Sequence, residues 1–155
     1  MRNCKTYIGI ILFIVFVFGG CASQKAMISY SSGSAAGLWP DKKLEDAFSS
    51  YWWWRFQGPV EKIFSFEAPY FQEMVPHNNY NIAMTAFIRN ELKDIEVYNI
   101  QKAEGAEHLY VVENKIRFVD TLGKEREMDI PDLWVYAGEK WYHVIKDPVL
   151  FPMAQ

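Results

Sequence analysis

The sequence predicts an α+β domain in which N-terminal helices pack on a curved antiparallel β-meander. Three observations predict it. Between residues 41 and 92 apolar residues recur at helical spacing. From residue 95 onward they alternate with polar ones, the period of a strand with one buried face. Short turns at Glu104-Gly105-Ala106, Thr121-Leu122-Gly123-Lys124 and Ala137-Gly138-Glu139 then cut this alternating half into hairpin-connected strands.

In chain order, the first element is not part of the domain. The chain opens MRNCKTYIGIILFIVFVFGGCAS. Arg2 and Lys5 precede an apolar run of 12 residues, Tyr7 to Phe18, and small residues follow. This is the layout of a secretory signal peptide, and the run is short of the roughly 20 residues that span a bilayer. Val17-Phe18-Gly19-Gly20-Cys21 resembles a bacterial lipobox, with Phe18 where aliphatic residues are usual. The resemblance implies cleavage before Cys21 and acylation of its thiol; each buried CH₂ then contributes about 0.8 kcal/mol to membrane attachment. Ala22 and Ser23 follow the cysteine instead of aspartate, which resembles lipoproteins of the outer membrane. The other cysteine, Cys4, falls in the segment expected to be removed. A disulfide, a thiol nucleophile and a cysteine metal site are therefore not expected.

Ser23 to Gly37 is rich in Ser, Gly and Ala and has no clear period, the composition of a flexible tether spanning roughly 20 Å. The expected organisation is a signal peptide over 1–20, a lipidated cysteine and tether over 21–40, and one domain over 41–155. Loss of Arg2 and Lys5 leaves 14 Lys and Arg against 19 Asp and Glu, a net charge of −5. With no basic cluster, this argues against a nucleic-acid partner.

Within the domain, Asp41 is placed to cap a helix that runs to about Gln57 and stops at Gly58-Pro59. Shorter helices are expected over Val60 to Phe66 and Pro69 to Val75, and a fourth from Tyr80 to about Leu92. The strands are expected over Ile95 to Lys102, His108 to Val119, Glu125 to Tyr136 and Lys140 to Lys146, with a bulge or an edge position at Pro131. In the first strand Ile95 and Val97 fall on one face, with Glu96, Tyr98 and Ile100 on the other. In the second, His108, Tyr110, Val112, Ile116 and Phe118 face one way and Glu113, Lys115 and Arg117 the other.

The first helix contains Tyr51-Trp52-Trp53-Trp54-Arg55-Phe56. At about 100° per residue, and with Leu44 at the origin, Phe48, Tyr51, Trp52 and Phe56 form one apolar arc. Arg55 falls inside that arc, Trp54 at its margin and Trp53 opposite, beside Asp46 and Ser49. Trp52 is thus expected in the core. Trp53 is expected outside it, as a partner contact or under a covering segment. An arginine on a buried stripe must be paired or reach water. Its alternatives are an ion pair with a sheet carboxylate such as Glu96 or Asp132, or a grip on an anionic or carbonyl ligand.

Tyr51-Trp52-x-x-Arg55, Glu61-Lys62-Ile63-Phe64, Ala68-Pro69 and the closing Leu133-Trp134-Val135-x-x-Gly138-Glu139-Lys140-Trp141-Tyr142 together resemble the NTF2-like (cystatin-like) superfamily over about residues 41–148. Gly58-Pro59-Val60 departs from the turn usual there. The resemblance implies a cone, a curved sheet with helices in its concavity and often a pocket, and functions that range from isomerases and dehydratases to proteins that only bind. If the Trp141, His143 and Ile145 face is the concave one, His143 lies at that pocket. The three histidines give no aspartate at a recognisable dyad spacing. Phosphate loops, His-x-x-x-His pairs and Gly-x-Ser-x-Gly elbows are absent. No catalytic set, cofactor or metal is expected. The expectation is an envelope lipoprotein that binds without catalysis, lipid-anchored at the outer membrane and facing away from the cytoplasm. It would meet an envelope protein or a second copy through Trp53, or hold a small apolar or anionic ligand with Trp52, Arg55, Tyr98 and His143. An isomerase or dehydratase is the lesser alternative.

Overall fold

A computed structural model describes residues 28–30 and 35–146. Cys21 and the signal segment lie outside the described residues. Four helices precede a long antiparallel meander: α1 (Lys42–Gln57), α2 (Val60–Phe64), α3 (Pro69–Met74), α4 (His77–Ile88), then β2 (Glu91–Lys102), β3 (Leu109–Val119), β4 (Glu125–Ala137) and β5 (Lys140–Val144). A short strand, β1 (Ile28–Tyr30), comes first, and the sheet order is β1-β2-β3-β4-β5. The helices-on-sheet α+β architecture is the one expected. No helix among the described residues is long and apolar enough to cross a membrane.

β1 corrects the reading of Ser23–Gly37 as tether throughout. Ile28, Ser29 and Tyr30 pair in parallel with Ile95, Glu96 and Val97. Side chains hold the strand there: Tyr30 Oη donates to Glu45 of α1 at 2.8 Å, and Trp39 Nε1 donates to Tyr30 Oη at 3.0 Å. Ile28, Tyr30 and, just beyond the stretch, Trp39 also pack against the core, so a composition typical of linkers contains two apolar anchors.

Helix α1 forms where its cap and its apolar arc agree. Asp41 accepts from Leu44 N at 2.8 Å, a cap worth about 1 kcal/mol, and its carboxylate also takes Trp141 Nε1 at 3.1 Å. The cap therefore ties the helix start to β5. Gly58 ends the helix with φ of 66°, a left-handed conformation that suits glycine. Leu44, Phe48, Tyr51, Trp52 and Phe56 are all buried, as the wheel requires. Ser49, beside Phe56 at the edge of the arc, is buried too.

The sheet contributes Ile95, Val97, Ile100, Val112, Ile116, Phe118, Trp134 and Trp141 to the same core. Ile100 was expected on the outer face with Tyr98. A register shift between Val97 and Asn99 leaves Tyr98 as the extra residue, and this bulge returns Ile100 to the inner face. Pro131 sits in an unbroken β3–β4 register opposite Glu113. The β4–β5 ladder begins only at Leu133, so β4 is an edge at Pro131, where a residue without N–H costs no ladder bond. Gly138 and Glu139 both have positive φ, the primed turn that matches the twist of a β4–β5 hairpin.

Candidate functional site

Inward-facing polar residues converge beneath α1. His143 follows Trp141 on the inner face of β5 and is 9% exposed. Its backbone joins the link after α2: His143 N donates to Phe66 O at 2.7 Å, and Ala68 N donates to His143 O at 2.8 Å. That pairing sets Glu67, fully buried, beside the imidazole, with Nδ1 2.8 Å from Glu67 Oε2. On the other side of the ring, Nε2 lies 3.6 Å from Asp132 Oδ1. Tyr51 stacks on the imidazole at 4.4 Å between centroids.

Both carboxylates are held by other donors as well. Glu67 Oε1 accepts from Tyr80 Oη at 2.6 Å and from Tyr51 Oη at 3.3 Å. Asp132 Oδ2 accepts from Trp52 Nε1 at 2.6 Å and from Asn114 Nδ2 at 3.3 Å. The network thus joins α1, the α2–α3 link, α4 and three strands. Burial alone would lower the His143 pKa, but the Glu67 charge and the Asp132 contact outweigh it and raise it from 6.5 to about 9. Imidazolium is therefore the resting form at neutral pH, and both ring nitrogens donate. Burial and the neighbouring carboxylate raise the Tyr51 and Tyr80 hydroxyls, which stay neutral donors.

Beside this network lies a cavity of about 370 Å³ between α1, α4, β4 and β5. Its polar lining is Arg55, Asp132, His143 and Lys146. Met84, Ile130, Leu133 and Ile145 are among its apolar residues, with the rings of Tyr51 and Trp52 forming part of the wall. The Arg55 guanidinium carbon lies 5.6 Å from both ring centroids, within cation–π range, and Nη1 donates to the Met84 sulfur. Burial pulls the Arg55 pKa down, but the buried acidic groups around it, Glu67 and Asp132 among them, leave it raised. Among the described residues no group of three or more His, Cys, Asp and Glu side chains is placed to hold a metal.

The structure thus brings three of the four sequence-predicted ligand residues together: Trp52, Arg55 and His143. Tyr98 is apart from them. It follows inward-facing Val97 and so lies on the outer face, where it is 40% exposed. Glu96, weighed as a partner for Arg55, is on that outer face too and pairs with Arg117 instead. Trp53 does not stand out into solvent; it is half-buried and packs against the core, and its Nε1 is sealed without a hydrogen-bond partner among the described residues. Of the two alternatives for Trp53, an open ring is not what is seen; the ring is partly covered, while Asp46 on the same side of α1 keeps contact with solvent. Glu67, Tyr80 and Asn114 were missed altogether, and Asp132 was considered only as a partner for Arg55. For two of them a signal existed. Asp132 alternates with Ile130 and Trp134, and Asn114 with Val112 and Ile116, so each is a polar residue in an inward register.

No family model matches the chain, and no curated protein does. Solved structures do match. A SEC-C motif containing protein from Rhodopseudomonas palustris superposes with a TM-score of 0.52 at 16% identity, over 65% of this chain and 74% of that one. A sec-c motif containing protein from Psychrobacter arcticus gives 0.52 at 16% identity over 77% and 69%. An NTF2-like protein involved in plasmid conjugation gives 0.48 at 14% identity over 77% and 41%. At such identities the likeness is one of fold. What this chain has in common with the two SEC-C motif proteins is its helices-on-sheet architecture, and an NTF2-like protein stands among its structural neighbours.

Proposed function

We propose that this chain is a lipid-anchored binding module of the bacterial cell envelope whose domain captures a small ligand in the cavity between α1, α4, β4 and β5. The anchor is carried by the basic start, apolar run and Gly19-Gly20-Cys21 of the sequence. The ligand site is carried by one observation: a largely apolar cavity of about 370 Å³ on which Arg55, Asp132 and His143 converge. Its size and lining are those of small-molecule sites, which run from about 300 to 1,000 Å³.

Binding without proton transfer is favoured by the state of His143. A general base needs a free lone pair within reach of the substrate. Here both ring nitrogens face carboxylates, and the ring is protonated at neutral pH. The imidazolium serves to hold the wall together.

A thermal-shift screen of the full chain against a small-molecule library tests the reading. A ligand at 100 times its Kd stabilises by about 2.7 kcal/mol, several degrees of Tm for a domain of this size. Hits are expected to lose their shift in Ala83→Trp, which fills the cavity from α4. Equal shifts in wild type and variant, or a library without hits, would sink the reading.

A further inference from the structure

We infer that the domain docks on the phospholipid bilayer by one end of its sheet, with Leu122 at the tip of the β3–β4 hairpin as the side chain that meets lipid. This goes beyond ligand capture and rests on the anchor part of the reading above.

Strand β1 sets the direction. It runs parallel to β2, with Ile28 beside Ile95, so it starts at the same end of the sheet as β2 does. Glu91, the first residue of β2, pairs with Val119, the last of β3. The turn Thr121-Leu122-Gly123-Lys124 follows Val119 and therefore stands at that end. β1 thus begins toward the hairpin tip and away from the β2–β3 turn.

Chain length sets the distance. Seven residues lead from Cys21 to Ile28, and fully extended they span at most about 25 Å. From Ile95, level with Ile28, the start of β2 is four residues away, about 13 Å at 3.3 Å per residue. The other end is farther. Ile95 to Lys102 is seven residues, about 23 Å, and the β2–β3 turn continues past it. An acylated Cys21 reaches the level of the hairpin end with length to spare, and is at its limit before the far turns.

The hairpin end also offers an apolar contact. Leu122 is 77% exposed, the most open large apolar side chain among the described residues. Its turn is tied from several sides. Leu122 N and Lys124 N donate to Asp120 Oδ1 at 2.9 and 3.0 Å, and Arg126 Nε donates to Asp120 Oδ2 at 2.9 Å. A tip held in this way presents its leucine with little further loss of freedom on contact. Exposed Arg89, Lys93 and Lys124 stand at the same end, where long stems can lie along acyl chains while the charges stay among head groups. Glu91 and Glu125 stand there too, so charge does not select this end. The far turns carry Glu104, Glu107 and Glu139 and no exposed large apolar side chain. One exposed leucine is ordinary on a free protein. Beside a lipid anchor the contact becomes intramolecular, and a weak apolar contact then suffices.

The test uses the full-length chain purified from membranes, with any acyl mass on Cys21 read by mass spectrometry. The protein is placed in nanodiscs of phosphatidylcholine with brominated acyl chains, and unbrominated nanodiscs are the blank. Leu122→Cys, Ile82→Cys on α4 and Glu104→Cys at the β2–β3 turn, all at exposed positions, each carry a bimane label. Brominated lipid is expected to quench the label at 122 severalfold and to leave those at 82 and 104 unchanged. Equal or stronger quenching at 82 or 104 would overturn the inference. So would an absence of quenching at all three positions in protein whose Cys21 carries the acyl mass; the anchor would then stand and the docked end fall. A Cys21 without that mass would overturn the anchor and this inference together, and would leave the cavity reading standing.

Discussion

Two clusters of carboxylates and cations sit on opposite faces of one sheet. On the inner face His143 lies between Glu67 and Asp132, all three under 10% exposed. On the outer face Arg117 reaches Asp94 at 2.8 Å, Glu96 close by and Glu127 at 3.9 Å, with side-chain exposures from 23% to 60%. The outer cluster has more ion pairs. The inner one has more consequences, because each of its groups has given up water and depends on the others to replace it. The distances look alike in the two; burial separates them.

The largest effect that would sharpen this contrast is expected at Glu67. Glu67→Ala removes the acceptor of two tyrosine hydroxyls and the main counter-charge of a buried imidazolium. Breaking a buried pair by deleting one partner costs about 3–5 kcal/mol. A domain with a total stability of about 5–15 kcal/mol then becomes marginal. Glu67→Gln keeps an acceptor and should lose less. Urea denaturation reads both, and a loss below about 1 kcal/mol for the alanine variant would mean that the inner cluster is no better coupled than the outer.

The next effect is a pH dependence of the inner cluster. The folded pKa of His143, about 9, lies above the ordinary value of 6.5. The folded state therefore binds the proton more tightly, and the stability this gives is fully present below pH 6.5. It declines as pH rises between 6.5 and about 9 and is gone above that. At about 1.4 kcal/mol per pKa unit, roughly 3 kcal/mol is at stake. Denaturation midpoints at pH 6 and pH 9.5 check it. A flat profile would mean that the fold leaves the His143 pKa at its ordinary value and that the two carboxylates are held by their other donors alone.

How far the inner face was legible depends on what each residue's neighbours say. Helix α1 was readable to its ends because Asp41, the 3.6-residue arc and Gly58-Pro59 agree. Strand parity placed Val112, Ile116 and Phe118 correctly, and Trp141 with His143. It failed at Ile100 because one extra residue reverses every later assignment on the strand, and nothing in Tyr98-Asn99 announces a bulge. The same parity points Asn114 and Asp132 inward, although a lone polar residue on an inner face does not disclose its partner. Glu67 was out of reach altogether: it lies in an irregular link with no period, and only the Phe66–His143 backbone pairing brings it to the imidazole. β1 was hidden for another reason, since three residues anchored by Tyr30 and Trp39 are too few to shift the composition around them.

The smallest expected effect belongs to the outer cluster, and it is the sharper test because it predicts near silence. Arg117→Gln removes the central cation from Asp94, Glu96 and Glu127. Water and salt can replace it at once, since these carboxylates keep their hydration when the guanidinium leaves. Carboxylates left close together repel one another modestly, so any loss should appear at low ionic strength and fade as salt is added. The Tm in moderate salt is expected to match wild type, while the Glu67 variants remain destabilised at every ionic strength. If Arg117→Gln instead unfolded the domain as Glu67→Ala does, and did so in salt, exposure would not be what divides the two faces. The outer network would then have to be read as part of the framework that holds β2 against β3.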